Sequence, residues 1–176
     1  MTRILRAVTA MVVMGGCTTA AMDSPPLRGQ VVLRDKAGQQ VGLATLTEQT
    51  EGVRVEISAT GLPPGPKGFH IHAVGKCDPP DFVSAGAHFN PTGKKHGRLN
   101  PEGAHAGDLP NLMVTGVGTA SLDATTKVVT LKPGVPGSLS GESGTSLVIH
   151  AQADDEKTDP TGNSGGRIAC GVITRN

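Results

Sequence analysis

At 176 residues the chain has the size of one domain with a substantial hydrophobic core. A formal charge of +1 argues against nucleic-acid binding driven by bulk charge. With 25 glycines, 13 prolines, three phenylalanines and neither Trp nor Tyr, the core must come from Val, Leu, Ile and Ala plus Phe69, Phe82 and Phe89, a composition that favours short strands and many turns.

Arg3 and Arg6 form a basic start, and Ala7 to Met14 form an apolar run too short to span a bilayer. Residues 1–16 therefore read as a secretory signal. Gly15 and Gly16 lead directly into Cys17, and small residues before a cysteine at this place resemble a bacterial lipoprotein cleavage site. Cys17 then becomes the acylated first residue, with residues 17–26 as lipid anchor and tether. Ordinary cleavage after Thr19-Ala20-Ala21, which discards Cys17, is the alternative. Loss of residues 1–16 leaves 14 basic against 15 acidic residues, a mature charge near −1. With Cys17 assigned to lipid, Cys77 and Cys170 remain as a disulfide pair in an oxidising compartment; two buried free thiols are the alternative.

Strand-like runs with period-two alternation follow. The first covers about Leu27 to Arg34. The second covers about Val41 to Thr47, with Val41, Leu43 and Thr45 in phase. Gly52 to Ala59 is the clearest, with Val53, Val55 and Ile57 on one face. Gly61 to Gly68, carrying Pro63, Pro64 and Pro66, reads as a turn. Phe69 to Val74 is a strand, and an irregular stretch runs from Gly75 to about Asn111. Strands resume near Leu112–Leu122, Lys127–Lys132, Thr145–Ala151 and Arg167–Thr174. About eight short antiparallel strands and no helical periodicity give an all-β sandwich or barrel. The Gly75–Asn111 stretch is long for an unstructured loop inside a compact domain, the mark of either a functional loop or a misassigned element.

That loop holds three of the six histidines, His88, His96 and His105, with Asp108 three residues after the last. Neutral imidazole suits zinc and copper, and three nitrogens with one carboxylate suit tetrahedral zinc. His70 and His72 share one face of their strand, where two imidazoles can chelate one ion. His150 ends the apolar run Ser146-Leu147-Val148-Ile149; taken alone, it reads as a structural histidine.

The segments Gly68-Phe69-His70-Ile71-His72, Ala85-Gly86-Ala87-His88-Phe89-Asn90-Pro91, Lys95-His96-Gly97, His105-Ala106-Gly107-Asp108, His150-Ala151-Gln152-Ala153-Asp154-Asp155 and Gly162-Asn163-Ser164-Gly165-Gly166-Arg167-Ile168-Ala169-Cys170-Gly171 resemble the copper/zinc superoxide dismutases. They are most similar to the periplasmic bacterial branch, in order and spacing, across about Gly29 to Thr174. The resemblance implies an eight-stranded antiparallel Greek-key β-sandwich or barrel with a long metal-binding loop, placed in residues 27–176. It implies copper on His70, His72, His88 and His150, and zinc on His88, His96, His105 and Asp108, with His88 as a bridging imidazolate. It makes Asp154 the carboxylate joining a copper histidine to a zinc histidine, Arg167 the anion-binding cation beside copper, and Cys77–Cys170 the intrasubunit disulfide. The implied activity converts superoxide to oxygen and hydrogen peroxide, in the periplasm or cell envelope on a membrane-anchored lipoprotein. Lys94, Lys95 and Arg98 are candidates for steering the anion. No nucleic-acid partner is implied, and monomer and homodimer both stand open. A metal-binding protein without turnover and a zinc-only structural protein are the competing readings.

Overall fold

β1 (Arg28–Asp35), β2 (Gln40–Gln49) and β3 (Gly52–Ala59) follow one another as antiparallel hairpins in the computed structural model, which describes residues 24–175. The signal segment and Cys17 lie outside the described residues. Alternation fixes the inner face of all three strands: Val31 and Leu33, then Ala44 and Leu46, then Val53, Val55 and Ile57 are buried. The phase expected for β2 is corrected. Val41 is an extra residue where the register shifts opposite Leu33 and Arg34, so Val41 and Ala44 both point inward. Leu43 is therefore 53% exposed, beside an exposed Val32.

The chain then crosses over through two short strands, β4 (Gly65–Lys67) and β5 (Phe69–His72). The expected proline turn over Gly61–Gly68 thus contains a strand, paired to β6 (Leu112–Val114) in a two-stranded sheet. Proline is tolerated in so short a strand at a sheet edge. β7 (Ala120–Thr126) returns to pair with β3, and β8 (Ser146–His150) crosses again to pair with β5. β9 (Arg167–Val172) closes the path against β1, giving the order β5-β8-β9-β1-β2-β3-β7. β10 (Thr174–Arg175) adds to β1. Hairpins followed by two crossovers are a Greek-key arrangement, curled around one main core.

Three further strand expectations are corrected. Leu112–Leu122 is split, because Thr115 and Thr119 close a turn on each other around Gly118, whose φ of +79° suits glycine. Lys127–Lys132 forms no strand. Its backbone is taken up locally: Leu131 N–H donates to the Glu48 carboxylate at 2.6 Å, and Thr130 N–H to Gly137 O at 3.0 Å, while Val129 and Leu131 anchor in the core. Arg167–Thr174 is broken at Ile173, whose N–H turns to Thr145 O.

The Gly75–Asn111 loop is ordered by three devices. One short 3-10 turn spans Val83–Ala85. Segments 87–89 and 107 dock on the free edge of β5: Phe89 N–H donates to Ile71 O at 2.8 Å and Ile71 N–H to Gly107 O at 2.9 Å. A Cβ at Gly107 would stand 2.3 Å from Ile71 O, so this edge contact requires glycine. The third device is the expected disulfide. Cys77 is bonded to Cys170 on β9, 93 positions away, and Phe82, Ala85 and Val148 pack around it as a second small core.

Closing so long a loop constrains the unfolded chain strongly. Cys77→Ser is expected to lower the urea-unfolding free energy by about 2–5 kcal/mol. An unchanged midpoint between oxidised wild type and variant would contradict this.

Candidate metal centre

β5 supplies His70 and His72, and β8, its antiparallel neighbour, supplies His150 at its end. The core face of β5 carries Phe69 and Ile71, both fully buried. The opposite face would be solvent-exposed in a simple sheet, but the ligand loop covers it. His88 bridges to His72 and Asp108 to His70 in isolated β-type pairs, so the loop's side chains converge on the histidine face. All six histidines, Asp108 and Asp154 are buried.

Three groups of ligand-type atoms result, each within 4.8 Å: a first of His70, His72, His88 and His150, a second of His88, His96, His105 and Asp108, and a third of His70, His96 and Asp154 that joins the first two. In the second, Asp108 Oδ1 lies 3.1 Å from the Nδ1 atoms of both His88 and His96. His105 Nδ1 is 3.4 Å from Asp108 Oδ1 and 3.4 Å from His88 Nδ1. Four ligands on a tetrahedral zinc at its usual bond lengths are separated by about 3.3–3.4 Å, so these atoms fit that ion. In the first group His72 Nε2 and His150 Nε2 are 3.3 Å apart. His70 Nδ1 and His88 Nε2 are buried with no hydrogen-bond partner. Orphaned buried nitrogens are costly, and a cation that accepts their lone pairs removes the cost.

The outward nitrogens explain why the lone pairs face inward. His72 Nδ1–H donates to Gly86 O at 2.9 Å and His150 Nδ1–H to Gly165 O at 3.1 Å; a carbonyl can only accept, so the tautomers are set. Asp154 does the same for two rings at once, accepting from His70 Nε2 at 2.8 Å and His96 Nε2 at 2.9 Å. It joins the two groups, and Asn111 and the Glu156 backbone N–H hold it in place. His88 differs from the other five histidines: one nitrogen faces each group.

Titration follows from these contacts. Burial pushes His70 down to about 4 and His150 down to about 3, and lowers His72 further. His96 behaves oppositely. Burial opposes its charge, but hydrogen bonds to Asp108 and Asp154 outweigh it and raise the ring to about 9. Burial likewise opposes the charge of Asp108 and Asp154, yet hydrogen bonds from the histidines hold both well below the usual carboxylate range.

A cleft of about 710 Å³ opens on the first group, with His72, His88 and His150 in its floor and Arg167 in its wall. Arg167 donates from one guanidinium nitrogen to Phe82 O and from the other to Gly86 O at 2.6 Å. Lys94 and Lys95 also line the cleft, but Lys95 Nζ lies 3.7 Å from Asp159 Oδ2. Arg98 is turned to Glu156 at 3.5 Å. Of the three candidate steering cations, Lys94 is the one with no ion pair among the described residues.

The structure thus brings together His70, His72, His88, His96, His105, Asp108, His150, Asp154 and Arg167, and it pairs Cys77 with Cys170. It adds groups that sequence pattern does not mark: the carbonyls of Gly86 and Gly165, and Asp159, which sits in a mixed charge run with no distinguishing spacing. Gly162 is another. A Cβ there would fall 1.8 Å from Asp154 Oδ1 and 2.7 Å from His96 Nε2.

Comparison with known proteins agrees with this geometry. The family model for copper/zinc superoxide dismutase (SODC) matches residues 40–173. Superoxide dismutase (Cu-Zn) 2 of Aquifex aeolicus is 50% identical over 155 residues, covering 88% of this chain and 91% of the relative. Superoxide dismutase (Cu-Zn) 1 of the same organism is 51% identical over 140 residues, covering 79% and 83%. A solved structure of a SOD-like protein from Bacillus subtilis, a double mutant with histidine in place of a tyrosine and a proline, has TM-score 0.79 and 46% identity over 81% of this chain and 95% of that one. The chain belongs to the copper/zinc superoxide dismutase family, and its activity is the oxidoreductase activity of that family with copper and zinc as cofactors.

The metal-free site has a two-sided pH dependence. His70 and His150 titrate lower in the fold than the ordinary value of 6.5, so the unfolded chain binds more protons and stability falls as pH drops from about 6.5. His96 titrates higher, so its contribution is full below 6.5 and is lost as pH rises through about 9. Denaturant unfolding of the metal-free protein is therefore expected to show greatest stability near pH 6.5. A flat curve from pH 5 to 9 would contradict this.

Proposed function

We propose that residues 27–176 are a superoxide dismutase domain in which His70, His72, His88 and His150 hold copper while His88, His96, His105 and Asp108 hold zinc. The observation that carries this division is the two-faced His88 ring. Its Nδ1 belongs to the tetrahedral group, and its Nε2, buried and unpartnered, belongs to the other. When bound, copper supplies one-electron redox chemistry and zinc supplies charge and structure without redox chemistry.

The chain's own residues do the rest. Superoxide is a small anion with little shape, so recognition rests on charge and access. Arg167 places a permanent cation in the wall of the cleft beside His72 and His88. Its hydrogen bonds go to carbonyls, so no carboxylate bonded to it cancels its charge. His88 Nε2, without a hydrogen-bond partner among the described residues, is the group we assign to take up and return a proton, because His88 alone has a nitrogen facing each group. Lys94, unpaired at the cleft, adds to the attraction more than the paired Lys95. Asp154 keeps one ring of each metal group oriented.

Metal partition tests the assignment. His150→Ala is expected to retain zinc and lose copper with its superoxide-removing activity, whereas His105→Ala loses zinc first. Element analysis after dialysis measures both. Loss of zinc alone from His150→Ala would overturn the division.

We further infer that the domain works at the cell envelope: residues 1–16 direct secretion, Cys17 carries lipid, and residues 17–26 tether the enzyme. This reading is supported by the basic-apolar-small-Cys order of the N-terminus. A palmitate analogue is expected to label wild type but not Cys17→Ser, and labelled Cys17→Ser protein would sink the anchor.

A further inference from the structure

Five of the six histidines are accounted for by their outward nitrogens or by bridging, and His105 is the exception. A metal-bound histidine almost always donates its other ring N–H to a carboxylate, a backbone carbonyl or water, which orients the ring and raises its basicity. With Nδ1 turned to the tetrahedral group, the His105 proton sits on Nε2 and points outward. The acidic oxygen it faces is Asp159 Oδ1, at 3.8 Å.

Asp159 is fastened in place by other contacts. The same Oδ1 accepts the backbone N–H of His96 at 2.7 Å. Its Oδ2 faces Lys95 Nζ at 3.7 Å. The residue stands in the tight 154–162 loop, where Asp155 N–H donates to Gly162 O and Gly162 N–H to Thr158 O. One carboxylate therefore touches the backbone of one ligand of the tetrahedral group and faces the ring of another. Asp154 reaches the same group from the same loop, through the His96 ring. A gap of 3.8 Å is too long for a direct bond, and it closes by a small side-chain rotation or through one water.

We propose that Asp159 is a positioning residue for the zinc site: it holds the His96 backbone and receives the outward N–H of His105. It is the counterpart of Asp154, serving the zinc side only, because none of its contacts reaches His70, His72 or His150. The proposal rests on zinc occupying the His88, His96, His105 and Asp108 group.

Two substitutions separate its two tasks. Asp159→Asn keeps an oxygen for the His96 N–H but removes the charge facing His105. Asp159→Ala removes both. Zinc affinity of copper-free protein, measured by competition with a chromogenic chelator, is expected to fall about 10-fold in Asp159→Asn and toward 100-fold in Asp159→Ala. Cobalt(II) placed in the same group is expected to show altered visible bands in both variants, while copper content stays at the wild-type level. Lys36→Gln, on the exposed turn between β1 and β2, serves as the unaffected control. Wild-type zinc affinity and cobalt spectrum in Asp159→Asn would overturn the role of its charge at the His105 ring, and wild-type affinity in both variants would overturn the whole role. Parallel loss of copper and zinc would also overturn it, by showing general loosening. Wild-type protein that takes up no zinc would instead overturn the assignment of that group.

Discussion

Six buried imidazoles whose ring centroids stand as close as 4.0 Å are the constraint on which the rest of the molecule depends. Their inward nitrogens face one another at 3.3–3.4 Å and carry lone pairs. Without cations between them, the arrangement leaves buried acceptors unpaired and tends to draw in protons. The contacts of His96 and of His150 push their pKa values in opposite directions. At His96, hydrogen bonds to Asp108 and Asp154 outweigh burial and favour the proton, whereas at His150 burial disfavours it. Two divalent cations resolve both problems at once, which couples metal loading to the stability of the ligand loop.

The β-sheet meets this constraint by dividing labour. Rigid strands carry His70, His72 and His150, so three ligands of one group come from regular structure with a fixed register. The other group is drawn wholly from the loop, and its convergence is fixed by backbone docking on β5 and by outer contacts to the 154–162 loop. Where these two loops meet, side chains leave no space. Gly162 lies against the Asp154–His96 hydrogen bond, and a Cβ at Gly97 would stand 2.2 Å from Glu156 O. Glycine at these positions sets the distance between the loops, and through it the placement of the Asp154 carboxylate.

Much of this was legible in the sequence, for particular reasons. β3 is read correctly because its alternation is uninterrupted and both neighbours are antiparallel strands. β2 is read with the wrong phase because one bulged residue, Val41, shifts the period where the sequence still alternates. Lys127–Lys132 alternates like a strand, yet its Leu131 N–H and Thr130 hydroxyl donate to Glu48, 83 and 82 positions away, which no local pattern reveals. The ligands are legible because histidine is scarce and clustered, and His150 because the family resemblance supplies what spacing does not. The outer groups are not legible: carbonyls carry no residue identity, and Asp159 differs in no visible way from its acidic neighbours.

The least visible link joins the disulfide to the substrate side. Cys77–Cys170 fastens the start of the loop to β9, three residues from Arg167 on the same strand. The fastened segment packs Phe82 and Ala85 into the second small core and so fixes the carbonyls of Phe82 and Gly86. Both accept from Arg167, and Gly86 O also accepts from His72 Nδ1. One carbonyl thus sets the position of the Arg167 guanidinium and the tautomer of His72 together. The disulfide acts on the histidine cluster through this carbonyl. Neutral acceptors suit the task better than a carboxylate, because they hold the guanidinium in place and leave its charge for the substrate.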